Sequence, residues 1–380
     1  METLAWVCLG LLIFLYAGYA AVLWVLHFGI RKKPVIFDET PPLSLILTAH
    51  NEEKYISQKL ENCLSLDYPK DRLEILLGLD GCTDRTLEIA RSYQEKGVRL
   101  VISREWVGKS LLRDRLVDGT KNPILVFTDS NAILDKRALR EIVRPFGDPA
   151  VGAVTGYLKY LPENDGSLRG EGLFKRYDNV LKRLESDLGS SVILEGSLCA
   201  LRRELFETTP PETPEDLVLA MRLIKKGKKV FFCERAVSFE RFAPDLKSEF
   251  KRRVRIAVRT LEGLAAHPEC LDLVRYGHYA FFLWAHRVLP YCAPFSLVIL
   301  FVISLFLRDL SNFWRMAFLI QTLAYALAVL YRISQNQPEN SYLKRVCYPA
   351  YFFCFFNASL LVGLWQWLKG VKICRWEPNR

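Results

Sequence analysis

Carboxylates far apart along the chain carry the chemistry of this sequence. Asp80 follows the apolar run Leu73–Leu79, Asp129 stands in Thr128-Asp129-Ser130-Asn131 behind Ile124–Phe127, and Glu215-Asp216 follow Pro214. Such oxygen-rich groups suit hard divalent cations of the Mg²⁺ or Mn²⁺ kind, which take one or two carboxylates and complete their shell from phosphate. Two of the three sites close strand-like runs, and an open α/β sheet collects ligands outside the carboxyl ends of its strands. The pattern suits a metal-bound phosphate compound handled beside strongly apolar segments.

The elements that must position these groups alternate regularly. Leu43–Thr48 reads as a buried strand ending at Ala49-His50-Asn51-Glu52, and Glu53 to Leu66 then has helical spacing. Leu73–Leu79 repeats the plan, with the tight turn Asp80-Gly81-Cys82-Thr83-Asp84 leading into a helix from Arg85 to Lys96. Val98–Ile102 is a third strand, Lys109–Asp118 a helix, Ile124–Phe127 a fourth strand, Leu134 to Val143 a helix and Val151–Gly156 a further strand. Alternation of this kind predicts a mostly parallel, Rossmann-like sheet with helices on both faces.

Composition places that α/β unit next to a membrane. Of 380 residues 51% are hydrophobic and 25% charged, which does not fit a uniformly soluble protein. Leu4 to Phe28 is long enough to cross a hydrocarbon core, since about 20 residues at 1.5 Å each span roughly 30 Å. No basic n-region or small-residue cleavage site marks this segment as a signal peptide, so an uncleaved anchor is expected. Arg31-Lys32-Lys33 then belongs on the cytoplasmic side, with Pro42 to about Leu273 in the cytosol. Further apolar segments run over Val288–Leu307, Phe313–Tyr331 and Val346–Leu368. Three crossings after a cytosolic domain would put the tail outside, yet Lys369, Lys372, Arg375 and Arg380 argue that it is inside. Either one carboxy-terminal segment lies in the interface or re-enters, or the tail breaks the charge rule; the aromatic and basic mixture of Tyr276 to Arg287 favours an interfacial segment. The expected division is residues 1–33 as a transmembrane anchor, 34–273 as a cytosolic catalytic domain, 274–287 as an interfacial segment and 288–380 as transmembrane helices with a basic tail.

The net charge of +10 has a membrane explanation, because basic residues near membrane ends attract anionic headgroups at about 1 kcal/mol each. No zinc-finger spacing, basic zipper or basic-aromatic RNA motif is present, so no nucleic-acid partner is expected. The ten cysteines include no Cys-x-x-Cys pair, which disfavours a metal site or disulfide framework and suits buried thiols in a reducing compartment.

Taken residue by residue, the candidates keep ordinary alternatives. Asp80 can accept hydrogen bonds from a base or ribose, or simply cap its turn. Lys109, opening a helix after Gly108, can meet phosphate at the positive helix end or stay solvated. Asp129 is a metal or phosphate group or a helix cap, with Asn131 offering one neutral oxygen. Glu215 and Asp216, in a first helical turn, also suit the helix dipole. Arg252 and Arg255 in Phe250-Lys-Arg-Arg-Val-Arg-Ile256 can pair with a diphosphate or form a solvated basic face.

The order of these motifs from Pro42 to Leu264, with the flanking apolar layout, resembles the membrane-bound family 2 glycosyltransferases of the GT-A nucleotide-diphosphosugar fold, the branch with poly-N-acetylglucosamine, hyaluronan and cellulose synthases. The resemblance implies that Ala49, Asn51, Glu52 and Asp80 line a uridine pocket, that Lys109 lies near the nucleotide phosphates, and that Asp129 with Asn131 holds Mg²⁺ or Mn²⁺. It also implies that Gly196 and Ser197 face the acceptor and that Asp216, with Glu215 beside it, is the general base. Arg255 matches the arginine of the family's Gln-x-x-Arg-Trp motif, while Arg252 replaces the Gln and Ile256 the Trp. The Asp-x-Asp of many relatives is Asp-Ser-Asn here, and the missing Trp takes away an aromatic platform for a growing glycan.

The expected activity is inverting transfer of a sugar from a UDP-sugar to a lipid-linked or glycan acceptor in cell-envelope synthesis, by a multi-pass protein of a bacterial inner membrane. A processive, exporting polysaccharide synthase and an inactive membrane scaffold that keeps the fold are the alternatives. Sugar turnover that Asp216→Asn abolishes with UDP binding kept separates an enzyme from a scaffold, and a long glycan product marks the synthase.

Overall fold

The computed structural model describes residues 1–29, 35–161, 169–242, 245–334 and 342–373. Arg31, Lys32, Lys33, Arg375 and Arg380, which the charge reading used, lie outside the described residues.

Among the described residues eight strands form one sheet: β1 Leu43–Ala49, β2 Leu73–Asp80, β3 Val98–Ser103, β4 Ile124–Phe127, β5 Ile133–Leu134, β6 Val151–Tyr160, β7 Cys199–Arg202 and β8 Lys229–Glu240. Their order is β3-β2-β1-β4-β7-β6-β8-β5. Parallel pairing holds through β3-β2-β1-β4 and again between β6 and β8. β7 is antiparallel to both of its neighbours and β5 is antiparallel to β8, so the sheet is mixed. Four-residue β7 carries no periodic signal long enough to be read as a strand from sequence, and its reversed direction matters for the site.

The period-two alternation of the strands divides them between two cores. Leu43, Leu45 and Leu47 of β1 join Ile75, Leu77 and Leu79 of β2 under the helices Ile56–Leu64 and Ala138–Val143. Ile46, Leu76, Leu125 and Phe127 point the other way, against Leu116 of the helix Lys109–Asp118 and Leu219 and Leu223 of the helix Glu215–Lys225. Burial on both faces is the reason β1 and β4 read as unbroken apolar runs.

Among the described residues four helical segments are long and apolar enough to cross a membrane: Glu2–Gly29, Leu273–Leu307, Asn312–Ile333 and Tyr342–Leu368. The second takes in the stretch 274–287 that the sequence set apart; it kinks at Gly277, whose φ is 53°, and passes through a π turn at Trp284–Val288 and a 3₁₀ turn at Leu289–Cys292. Its first half is docked on the sheet domain, where Tyr279, Phe282 and Leu283 pack with Leu181, Leu184, Leu217 and Met221.

The last segment runs beside the helix Leu246–Ala266. Phe355 meets Phe250 with ring centroids 5.3 Å apart, and the indole of Trp367 donates to Glu262 at 3.0 Å. Gly363 takes the closest approach, because a Cβ there would lie 2.4 Å from the Ala257 Cβ. Beyond it, Lys372 Nζ comes to 3.7 Å from Glu212 and 3.8 Å from Glu262. The described end of this segment therefore touches the sheet domain.

Candidate active site

In-phase pairing brings the strand ends together. Ala49 of β1 faces Leu79 of β2, and Ile46 faces Phe127 of β4, so the residues after these strands emerge along one edge. On the β1–β2 side the loops tie to each other. Asn51, in the left-handed region at φ 54°, accepts with Oδ1 from the amide of Thr83 at 2.7 Å and that of Asp84 at 3.3 Å. Glu52 is buried, its carboxylate accepting from Ser130 at 3.2 Å, and Ala49 is buried at the end of β1.

Asp80 is 3% exposed and holds the loop before Lys109: its two oxygens accept from the amides of Val107 at 2.8 Å and Gly108 at 2.9 Å. Gly81 permits this closure, since its φ is +58° and a Cβ would meet the Trp106 nitrogen at 2.6 Å. His50 and Trp106, which sequence reasoning passed over, stack with centroids 4.5 Å apart and planes at 6°. Such a pair offers an aromatic edge beside the loop ends. Replacing Asp80 by Ala frees the Val107 and Gly108 amides, and the expected outcome is weaker nucleotide binding with turnover at saturation less affected, read from donor titrations.

The loop places Lys109 Nζ 2.5 Å from Asp129 Oδ1. From below, the wholly buried Lys59 donates to Thr128 Oγ1 at 2.8 Å and to the Ala132 carbonyl at 2.5 Å, which fixes the turn that carries Asp129. Burial depresses the Lys59 ammonium below its ordinary value, although Asp129 and Glu240 favour its charge. A lysine on the apolar face of an amphipathic helix, level with Ile56, Leu60 and Cys63, was the sequence signal for this clamp.

Antiparallel β7 brings in the segment 195–198. Because Cys199 pairs with Phe127, the residues before β7 lie beside those after β4, and Thr128 Oγ1 donates to the Ser197 carbonyl at 2.8 Å. The Leu194 amide donates to the Asp216 carbonyl at 3.1 Å. Gly196 thus sits where a Cβ would be 3.4 Å from a carboxylate oxygen of Asp129 and 3.4 Å from one of Asp216. That Cβ would be in ordinary contact, so Gly196→Ala folds but narrows the gap between the carboxylates. Its expected result is a folded protein with transfer reduced by about tenfold or more, by the sensitivity of reactions to sub-ångström placement.

Glu215 and Asp216 begin their helix against Arg113, which is 5% exposed, pairs with Glu215 and lies over the Phe127 ring at 4.6 Å. Burial alone would raise the Glu215 carboxyl, but Arg113 and Lys109 outweigh it and hold it below its ordinary value. For Asp216 burial wins: the carboxyl is raised, although Lys109 and Arg113 pull it down. Two adjacent carboxylates are thus driven apart in basicity by their surroundings. Arg113 was not singled out in sequence, where its buried neighbours Leu112 and Leu116 were the visible cue.

The helix Leu246–Ala266 closes the far side. Arg252 is held by Glu249 at 2.7 Å and by the Tyr160 hydroxyl at 3.3 Å, while Arg255 is half-buried on the same helix. Glu240, at the end of β8, is a further carboxylate that sequence reading missed. Burial pushes it up to about 8, with Asp129 and Glu195 adding to the effect and Arg252 opposing it.

Asn131 is exposed in the turn after Asp129. Among the described residues no group of three or more His, Cys, Asp and Glu side chains could hold a metal ion. Asp129 offers the single carboxylate that a hard cation drawing most of its oxygen shell from phosphate would take.

Asp80 reaches Asp129 through its loop and Lys109, and Asp129 and Asp216 flank Gly196, so the acidic groups share one crevice. A mixed α/β sheet with such a crevice at its strand ends has the GT-A glycosyltransferase fold. Over residues 41–258 the chain matches the family described as glycosyltransferase like family 2, and it belongs to that family. It is 26% identical over 273 residues to the probable glycosyltransferase YdaM of Bacillus subtilis, covering 67% of this chain and 64% of that protein. To the poly-beta-1,6-N-acetyl-D-glucosamine synthase of Staphylococcus epidermidis it is 22% identical, covering 64% of this chain and 63% of that protein. The match thus spans a little under two thirds of the length of these relatives. Among solved structures, the mannosyltransferase PcManGT from Pyrobaculum calidifontis in complex with GDP-Man and Mn²⁺ superposes with a TM-score of 0.73 at 21% identity, covering 97% of this chain and 100% of that one.

Proposed function

We propose that the protein is an inverting glycosyltransferase that moves a sugar from a nucleotide diphosphate, UDP in the first instance, to the hydroxyl of a lipid-linked or glycan acceptor in envelope synthesis. The observation that carries this reading is the shared position of Asp129 and Asp216 on either side of Gly196. Asp216, raised by burial, takes the proton from the acceptor hydroxyl. The hydroxyl oxygen attacks the anomeric carbon from the side opposite the leaving group, the carbon–oxygen bond to the diphosphate breaks, and configuration inverts. Lys109, Arg252 and Arg255 offset the charge left on the diphosphate. Asp129 would hold Mg²⁺ or Mn²⁺, whose bound charge stabilises that same leaving group.

The apolar helices supply the setting. Gly29 ends the first helix near the sheet domain, where His27 lies 3.4 Å from Asp187, and Lys372 beyond the last helix is also near the domain. At the opposite end of the bundle, Trp6 stacks on Phe313 at 4.8 Å. We read Glu2–Gly29, Leu273–Leu307 and Asn312–Ile333 as crossings and Tyr342–Leu368 as the interfacial segment. This reading puts Lys369 and Lys372 on the cytoplasmic side with the catalytic domain, as the charge rule favours. An acceptor anchored in lipid then reaches the crevice beside the helix Leu246–Ala266. Ile256, where processive synthases carry Trp, is 48% exposed, and single transfer is the form that suits it.

The test is nucleotide release by the detergent-solubilised chain from a panel of UDP-sugars and GDP-mannose, with vesicles containing diacylglycerol or polyprenyl phosphate, with and without chelator. Acceptor-dependent release that chelator abolishes and Mn²⁺ or Mg²⁺ restores is expected. Release that chelator leaves untouched would remove Asp129 from the metal role, and no release from any donor would end the transferase reading.

A further inference from the structure

The helix Arg169–Leu188 carries Lys175, Asp178, Lys182 and Glu185 along one face, and that face is turned inward: Asp178 is 7%, Lys182 2% and Glu185 0% exposed. Burying ions is costly unless each is paired. Here Lys175 and Lys182 both donate to one oxygen of Glu195 at 2.6 Å. Asp178 takes the same two ammonium groups at 3.2 and 2.8 Å. Burial would raise the Glu195 carboxyl, yet the two lysines hold it below its ordinary value. Glu195 is the residue before Gly196, so this cluster fixes the wall between Asp129 and Asp216.

The other end of the cluster belongs to the apolar helices. His286 lies between two carboxylates, its Nδ1 2.7 Å from Glu185 and its Nε2 3.3 Å from Asp178, and Arg287 reaches Asp178 at 3.7 Å. The Tyr19 hydroxyl donates to the same Glu185 oxygen at 2.8 Å. Glu185 also accepts from the Val192 amide at 3.4 Å, on the segment that leads to Glu195. Both contributing helices carry a π turn at this level, Phe14–Gly18 directly before Tyr19 and Trp284–Val288 around His286 and Arg287. A π turn shifts the helical register and is frequent at functional positions. Polar groups set in otherwise apolar helices are costly and kept for a role. Simple docking is already supplied by the apolar contacts of Tyr279, Phe282 and Leu283 with the sheet domain.

We propose that His286 and Tyr19 are positioning residues, through which the packing of the first two apolar helices sets the Glu195-Gly196-Ser197 wall and thereby the placement of the acceptor against Asp216. The inference rests on the transferase reading. It makes transfer depend on how these helices sit in their lipid, while the nucleotide loops Asn51–Glu52 and Asp80–Lys109 join the network at one remove, through Thr128 beside Ser197 and Lys109 beside Asp129.

The experiment uses the full chain in lipid nanodiscs, as wild type, Tyr19→Phe and His286→Leu. Tyr19→Phe keeps the ring and removes one hydrogen bond, so it serves if His286→Leu fails to fold. Transfer from UDP-glucose to diacylglycerol or polyprenyl phosphate, UDP affinity, and amide hydrogen exchange of the 195–198 peptide are measured. Transfer is expected to fall about tenfold or more, as for a displaced reacting group, with UDP affinity within about twofold of wild type, since no contact with the nucleotide loops is removed. Exchange at 195–198 should quicken while that at 105–109 stays unchanged. Equal losses of transfer and UDP affinity would show plain destabilisation and overturn the proposal, as would wild-type transfer or unchanged exchange at 195–198 in a folded variant. A wild type that turns over no donor would overturn the transferase reading instead, and the exchange measurement would still decide whether the helices set this wall.

Discussion

Asp216→Asn is expected to lower sugar transfer by about 10²–10⁴-fold, the usual worth of a positioned general base, with nucleotide affinity kept. The amide has nearly the shape of the carboxylate and leaves the Asp216 backbone carbonyl free to accept from Leu194 as before. Its effect should therefore fall on proton removal and spare the arrangement of the wall. Burial also raises the Asp216 carboxyl, so the neutral side chain is at home in this pocket and folding should not suffer. Single-turnover transfer beside UDP binding measures the two quantities separately. Transfer within threefold of wild type would move the base elsewhere, with Glu240 the next carboxylate to test. The partner experiment at the metal end, Asp129→Asn, is expected to weaken nucleotide binding as well as transfer.

The second large effect lies in stability. Arg113→Leu leaves Glu215 charged and buried without its guanidinium, and breaking a buried pair in this way costs roughly 3–5 kcal/mol. Arg113 and Glu215 have only 6% and 9% of their side chains exposed, so solvent does little to soften the loss. The Phe127 ring also loses the cation above it. Arg113→Leu combined with Glu215→Leu removes both charges and is expected to regain much of the stability, because an apolar pair can replace a buried ion pair at little cost. Denaturant unfolding of the solubilised protein, followed by tryptophan fluorescence, distinguishes the cases. If the single variant were as stable as wild type, the pair would not hold the Glu215–Lys225 helix against the sheet. If the double variant were no better than the single one, the cost would come from lost packing.

Both predictions turn on residues of unequal legibility. Asp80, Asp129 and Asp216 stand out in sequence because each follows a strand or opens a helix, positions where side chains face ligands. The alternation of apolar runs likewise foretold the parallel half of the sheet, since β1, β2 and β4 are buried on both sides and read as continuous apolar stretches. Arg113, Lys59 and Glu240 were not singled out. Each is a charged residue inside an otherwise ordinary helix or strand, and its meaning depends on a partner far along the chain: Arg113 on Glu215, Lys59 on Thr128, Glu240 on the field of Asp129. The stretch 274–287 shows the same limit. Its His286 and Arg287 pair with Asp178 and Glu185, partners far along the chain that no local pattern discloses.

By itself the sequence determined the kind of molecule: an alternating α/β unit with acidic groups at strand ends, bounded by segments apolar enough for a membrane. Those properties are local, set by hydrophobic period and by residue type next to a strand end, and one chain suffices to read them. Only the tertiary structure decided which carboxylates share a crevice, because that depended on reversed β7 bringing Gly196 between Asp129 and Asp216. It alone also showed which buried charges are paired, since the cost of burial falls on a group only when the whole fold has taken its water away.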